Sequence, residues 1–524
     1  MNHLRSIDEV AETLQNAKSR GKGCSLLIGA GCSVRAGIPH AAGLIQVIKE
    51  RYPRAYQRAA TKTYAKCMSE LLLSERRDLI AEYVDQAKIN WAHLCIALLV
   101  QAGYVDRVLS TNFDLLVVRA CALLNEFPAI YDFAASQLFK APDMPRKAVI
   151  YLHGQYTGFI LINTEDDFER HTHLLEPVFE DAGRGRVWLV VGYSGENDPV
   201  FEHLARVPRF DNGLYWVGYQ NGEPPPHVEQ QLLKPAKDAF YVKGYDADSF
   251  FITLTQKLSI FPPRLLSQPF SHIKSAMEML TPYVFPGQGS QEDVTSAPRQ
   301  WIDKAIKQYE LGELSGGAFA AALKLLLAGA YESVLDYRPE YDKNPSPELG
   351  GPLSWAYVMQ GNALSAKAKT QPAREAETLL LEAEGKYKSA LEIKRDMAEA
   401  LNNWGNALAD RARIKKEAEG DQLFREAAEK YKAALAIKPD MAEALFNWGN
   451  ALLDHGGLKS GEEADPLFAE AATKYQSALA LRPDMHEAWF KWGNVLLEQR
   501  SQKDEPSAGQ SSPARPTVVP PPSS

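Results

Sequence analysis

Cysteine is scarce in this sequence, and it stops early. The 524 residues hold five, Cys24, Cys32, Cys67, Cys95 and Cys121, and none follows Cys121. An odd number without a regular framework excludes a disulfide scaffold. No two are spaced as CxxC, so no zinc ribbon or knuckle is expected. Long apolar runs are missing too: no stretch approaches the roughly 18 apolar residues of a membrane-spanning helix. The opening MNHLRSIDEVAETLQNAKSRGKG has no apolar core of a signal peptide. A cytoplasmic protein with no membrane partner is expected. Basic excess is also absent: 58 Lys and Arg face 66 Asp and Glu, a net charge of −8. Phosphate backbones are bound by basic stripes, so nucleic acid is not an expected partner. What remains is ordinary globular usage, 45% hydrophobic and 24% charged, which rules out disorder throughout. At about 150 residues per domain, the length suggests about three domains.

The first half alternates between two kinds of pattern. Apolar runs of strand length stand at Ser25–Ile28, Arg107–Ser110, Ala148–Leu152, Val187–Val191, Leu214–Val217 and Phe240–Val242. Such unbroken runs suit strands buried on both faces of a parallel sheet. Helical patterns such as Trp91–Gln101 lie between them. Residues 1–265 therefore read as an α/β unit with a Rossmann-like parallel sheet. The stretch TPYVFPGQGSQEDVTSAP falls within an expected linker, residues 266–300. Residues 301–500 read as all-α. The last stretch, 501–524, is too poor in apolar residues to order itself and reads as a disordered tail.

The all-α half repeats. MAEALNNWGNAL begins at Met397, MAEALFNWGNAL at Met441 and MHEAWFKWGNVL at Met485, a step of 44 each time. Tyr387, Tyr431 and Tyr475 keep that step, and Gly361-Asn362 stands one step further back. Several array families share such a period, so content must decide. Leu445, Trp448, Gly449 and Leu452, with Ala427, Tyr431, Ala434 and Pro439, resemble tetratricopeptide (TPR) helix pairs. The usual TPR unit is about 34 residues. The surplus should lengthen the helices or the turn near Ile414–Asp421. Trp404, Trp448 and Trp492 are expected in the core.

Four motifs follow strands, where open α/β sheets bind ligands. CSLLIGAGCSVRAGIP, residues 24–39, runs a strand into Gly29-Ala30-Gly31 and Ser33. Glycines there let a backbone approach a pyrophosphate, with the next helix offering its N–H groups. A tight strand–helix connection explains them equally, and Val34 stands where a GxGxxG fingerprint needs its third glycine. LSTNFDLLV ends a strand in Thr111-Asn112-Phe113-Asp114, whose Asn and Asp would also serve as helix caps. VIYLHGQYTG places His153 at a strand end, suited to base chemistry near neutral pH or to a structural role. WLVVGYSGENDPVF brings Gly192, Ser194 and Gly195, with Glu196, Asn197 and Asp198 as caps for a helix starting at Pro199.

In this order, GAGCSVRAGIP, TNFD, LHG and VGYSG resemble the signature segments of the sirtuin family over roughly residues 20–260. The resemblance implies NAD+ binding. Gly29, Ala30, Gly31 and Ser33 match its phosphate-binding turn. Asn112 and Asp114 match the pair lining the nicotinamide–ribose pocket, with Thr111 beside them. His153 matches the catalytic histidine, Gly192 and Ser194 the turn at the adenosine half, and Tyr245, loosely, a residue over the adenine. Three departures stand against acyl-lysine chemistry. The four-cysteine zinc module is missing, so no zinc is expected. His40, Ala41 and Ala42 replace the acidic-aromatic-Arg stretch after GIP. Gly218 stands where a late strand often ends in Asn. What remains resembles the zinc-less sirtuin-like domains of bacterial anti-phage defence proteins, which cleave NAD+ and are often fused to helical repeats.

The expected function is therefore NAD+ hydrolysis at the nicotinamide–ribose bond in abortive antiviral defence. Asn112 would orient water or the ribose hydroxyls. His153 would act as base or position the ribose, and Asp114 would stabilise developing charge or fix the loop. The TPR half would take a protein, a peptide or a phage-derived trigger, or assemble the chain into a homo-oligomer. The alternatives are an NAD-dependent deacylase or ADP-ribosyltransferase, and a non-enzymatic NAD or ADP-ribose-binding scaffold.

Overall fold

The structure, a computed structural model, describes residues 3–135, 144–158, 161–164, 166–167, 174–196, 198–220, 222–281, 295–307, 317–415, 417–459, 463–483 and 485–503. The chain divides into two compact units, Met1–Leu314 and Ser315–Ser524.

The first unit is built on seven strands: β1 (Cys24–Ile28), β2 (Val105–Ser110), β3 (Ala129–Asp132), β4 (Ala148–Tyr151), β5 (Val187–Val191), β6 (Leu214–Tyr219) and β7 (Ala239–Tyr245). All pairings are parallel, in the order β3-β4-β2-β1-β5-β6-β7. The strand order reverses direction at β1. Strands β1, β2, β4 and β5 are buried at every residue, as their apolar runs predict. Only β3 escapes the sequence reading. It is an edge strand of four residues with Ile130 exposed, so it carries no apolar run. Among the described residues no helix is long and apolar enough to cross a membrane.

The expected linker is partly helical. Arg264–Ser267, Pro269–Met277 and Ser296–Ala305 are helices, while residues 282–294 lie outside the described residues. Pro269 explains the second of these, because proline suits the first turn of a helix.

The second unit is all-helical. Its regular part comprises Pro347–Ala368, Ala373–Ile393, Ala398–Ile414, Glu417–Ile437, Ala442–Gly457, Asp465–Leu481 and His486–Lys503. The surplus in each step goes into helix length, 17 and 21 residues in the pair on either side of Lys416. The last helix runs through Lys503, three residues into the expected tail. The rest of that tail lies outside the described residues.

One lock recurs at each step. The hydroxyl of Tyr387 donates to Asn362 Oδ1 at 2.9 Å, Tyr431 to Asn406 at 2.7 Å and Tyr475 to Asn450 at 2.8 Å. Each tyrosine ring lies on the glycine just before that asparagine. A Cβ on Gly361, Gly405 or Gly449 would come within 2.6, 2.7 and 2.7 Å of the ring. The tryptophans pack against the helix cores with only part of their surface. Trp404 and Trp448 are only half-buried, and Lys430 and Lys474 sit 3.7 and 3.5 Å from their ring centroids. One indole face packs inward and the other takes an ammonium group.

Gly405→Ala is expected to destabilise the chain by about 1–3 kcal/mol through this clash. The equivalent Gly493 has no described residue within 4 Å of a built Cβ, so Gly493→Ala should stabilise by up to about 1 kcal/mol from helix propensity alone. Thermal unfolding of the two variants, two steps apart in the same repeat position, checks the contrast.

Candidate active site

The strand register brings the four motifs to one edge. Ile28 pairs with Ser110 and with Val191, and Ser110 pairs with Tyr151. The residues that follow, Gly29, Thr111, Leu152 and Gly192, therefore leave the sheet side by side. This is the carboxyl edge beside the switch point at β1, where open α/β sheets bind ligands.

The two glycine turns pack on each other. Gly31 N–H donates to Gly192 O at 2.8 Å and Gly29 N–H to Val191 O at 3.2 Å. A Cβ on Gly29 would lie 2.6 Å from Gly192 O, one on Gly31 2.7 Å from Gly192 Cα, and one on Gly192 2.6 Å from Cys32 N. Gly192 also has φ +66°, where a side chain is strained. Mutual packing of the turns thus accounts for all three glycines.

The helix expected straight after the first turn is replaced by two 3-10 turns, Ala30–Cys32 and Val34–Ala36, and the α-helix starts only at Ala41. Gly37, at φ +100°, ends the second turn. The Cys32 and Ser33 N–H groups bond within these turns. Ala30 is half-buried and Gly31 exposed along the edge.

A buried polar cluster lies beneath. Asn112 Nδ2 donates to Gly29 O and to Ser33 Oγ, both at 3.1 Å. Because Gly29 O can only accept, both amide hydrogens are spent and Oδ1 is left as the acceptor. Ser33 donates its single proton to Asp114 Oδ2 at 2.8 Å. The other Asp114 oxygen accepts from Leu116 N at 3.0 Å, fixing the turn before the helix Leu116–Leu123.

His93, fully buried in the helix Trp91–Gln101, reaches Ser33 Oγ with Nε2 at 3.3 Å. With the Ser33 proton already committed, Nε2 is the donor and Nδ1 is bare. Asn90 caps that helix through His93 N and donates to Cys32 O at 2.7 Å, tying the first turn to it.

Burial pushes His93 below its ordinary value of 6.5, with Asp114 partly opposing. The folded protein therefore holds this proton less tightly than the unfolded chain. Stability is unaffected by this group above pH 6.5 and falls as pH drops below it. His93→Gln should flatten the acid side of a melting-temperature profile below about pH 6.5.

His153 follows β4 and is buried. Its Nε2 lies 3.4 Å from Asp198 Oδ1, an ion-pair separation across the sheet edge. Asp198 also caps the helix Pro199–Arg206 by accepting from Val200 N at 2.9 Å. Burial pushes the neighbouring Tyr193 phenol up, and the Asp198 charge adds to it. Two carboxylates thus back the two central side chains: Asp114 through Ser33 to Asn112, and Asp198 to His153. The Asn163 side-chain amide is buried and has no hydrogen-bond partner among the described residues, on the segment where Ile162 N–H donates to His153 O.

The remaining expected residues differ in what they present. Thr111 turns its hydroxyl to Ile28 O at 3.3 Å. Ser194 is exposed and accepts from Glu196 N. Tyr245 ends β7, two strands beyond β5, with its ring against Phe250 at 5.8 Å. The following loop does reach the first turn, since Asp246 accepts from Arg35 at 2.6 Å. Asn197 lies outside the described residues. Among the described residues no group of His, Cys, Asp and Glu is arranged to hold a metal ion.

The sequence reading missed His93 and took Asp198 as a cap only. The cap was legible from Asp-Pro at a helix start. The contact with His153, 45 residues away, was not.

The family model of the SIR2-like domain matches residues 106–237. This stretch holds Asn112, Asp114, His153, Gly192 and Asp198 but not the first glycine turn. A second family model, the plant-specific mitochondrial import receptor subunit TOM20, matches residues 376–488 and 422–505. No curated protein matches the chain. Among solved structures, a Sir2 homologue–NAD complex is 17% identical over 49% of this chain and 96% of that one, with a TM-score of 0.31. Sir2Tm bound to a propionylated peptide is 18% identical over 48% and 99%, with a TM-score of 0.30. A Sir2–p53 peptide–NAD+ structure is 18% identical over 48% and 98%, with a TM-score of 0.29.

Proposed function

We propose that the first unit is an NAD+ hydrolase. Water adds to the ribose C1′ as the bond to nicotinamide breaks, giving nicotinamide, ADP-ribose and a proton. The observation that carries the reading is the amide of Asn112: with both hydrogens held by Gly29 and Ser33, Oδ1 is fixed as an acceptor for water or a ribose hydroxyl. Prior fixing of this kind lowers the barrier without reorganisation during reaction. His153 takes the proton of the attacking water or positions the ribose. Asp198 is its positioning residue, since its carboxylate stands 3.4 Å from Nε2. Asp114 holds Ser33 and the loop. Gly29, Ala30, Gly31, Thr111, Ser194 and Tyr245 contribute to the dinucleotide's surroundings. The match to the SIR2-like domain supports NAD+ as the substrate.

On this reading the protein depletes NAD+ as an effector of anti-phage defence in the cytoplasm. The second unit, read as TPR-like, senses a protein or phage-derived trigger or mediates assembly. Incubating the purified full chain with NAD+, alone and with phage lysate, tests this. Free nicotinamide and ADP-ribose without any acceptor support the hydrolase. ADP-ribose transferred to a protein, or loss of an acyl group from an acylated peptide, would replace it with the transferase or the deacylase.

A further inference from the structure

The repeat leaves its last socket open. Three times a tyrosine from the following helix lies on a glycine and donates to the next asparagine: Tyr387 at Gly361-Asn362, Tyr431 at Gly405-Asn406 and Tyr475 at Gly449-Asn450. The fourth pair, Gly493-Asn494 in the helix His486–Lys503, stands at the same step of 44. No described residue comes within 4 Å of a Cβ built on Gly493.

The surroundings agree. Trp404 and Trp448 carry Lys430 and Lys474 on their faces, whereas Trp492 meets Trp489 of its own helix, with ring centroids 5.5 Å apart. Trp489 is 50% exposed, Phe490 68% and Leu496 51%. These lie three or four positions from Gly493, so they share its face of the helix. The sequence does not supply the next tyrosine in register. That position is Val519, with no ring and no hydroxyl, among Pro516, Pro520, Pro521 and Pro522. Stacked repeats bury their faces only against a neighbour, and an end without a polar cap leaves that face uncovered.

We propose that this face docks an α-helix from another polypeptide bearing the pattern Lys-Tyr-x-x-Ala-Leu. The occupant's chemistry comes from the three filled sockets, where KYKSAL, KYKAAL and KYQSAL supply it. Its tyrosine ring covers Gly493, its hydroxyl donates to Asn494 Oδ1 and its lysine lies over Trp492. This does not rest on the NAD+ reading.

The test uses the full-length chain and a labelled peptide DPLFAEAATKYQSALALR, the sequence of residues 465–482. Fluorescence anisotropy should give saturable 1:1 binding, at least about tenfold weaker when the peptide's tyrosine is replaced by alanine. Gly493→Leu fills the notch with a good helix former where there is open space, so it keeps the fold, as circular dichroism will register. It should abolish binding. No saturable binding, or unchanged binding to Gly493→Leu, overturns the proposal. So does a chain that sediments as a dimer without peptide and is split by Gly493→Leu, because a second copy then covers the face.

Discussion

Asn112→Ala is expected to lower NAD+ cleavage by roughly 10²–10³-fold, the scale of losing one pre-aligned polar group at a site of developing charge. The side chain is 8% exposed and its two donated bonds link the turn after β2 to the turn after β1. Its removal also strands Gly29 O and leaves Ser33 with fewer partners. A stability loss of about 1–3 kcal/mol should therefore accompany the kinetic one. Melting temperature separates the two effects: a folded variant that has lost turnover supports the assignment. His153→Ala should cost roughly 10²–10⁴-fold on the same grounds. Full cleavage of NAD+ by both folded variants, measured as nicotinamide release, would remove these residues from the mechanism.

Asp198→Asn should separate a role in chemistry from a role in folding. Asparagine caps helices as well as aspartate does, so the bond from Val200 N is kept and the helix Pro199–Arg206 should persist. What is lost is the carboxylate 3.4 Å from His153 Nε2. The same Oδ1 accepts from Val200 N and faces His153 Nε2, so an asparagine that keeps the cap keeps an oxygen there and loses only the negative charge. The expected result is a fall in kcat smaller than that of His153→Ala, with KM for NAD+ and melting temperature nearly unchanged. Asp198→Glu should recover part of the rate. Unchanged kcat in Asp198→Asn would reduce Asp198 to a helix cap.

The edge of the sheet was legible because its chemistry follows uninterrupted apolar strands. Six of seven strands announce themselves as runs of aliphatic and aromatic residues, and β3 does not because it is short, peripheral and half-exposed. The glycines of the two turns were also legible. The sequence allowed a phosphate or a tight connection equally, and their Cβ positions are taken by each other's backbone.

By itself the sequence determined the alternation of strands and helices, the 44-residue step and the four strand-end motifs. Each depends on local periodicity or on residues adjacent in the chain. Only the tertiary structure decided which polar groups meet. The pairing of Ile28 with both Ser110 and Val191 aligns turns some 80 and 160 residues apart. That register puts Asn112 on Ser33, Ser33 against His93, and Asp198 beside His153. Hydrogen bonds and ring contacts act over a few ångströms, and parallel strands need long crossovers to come together. The chemistry of this edge is therefore set by register and not by spacing along the chain.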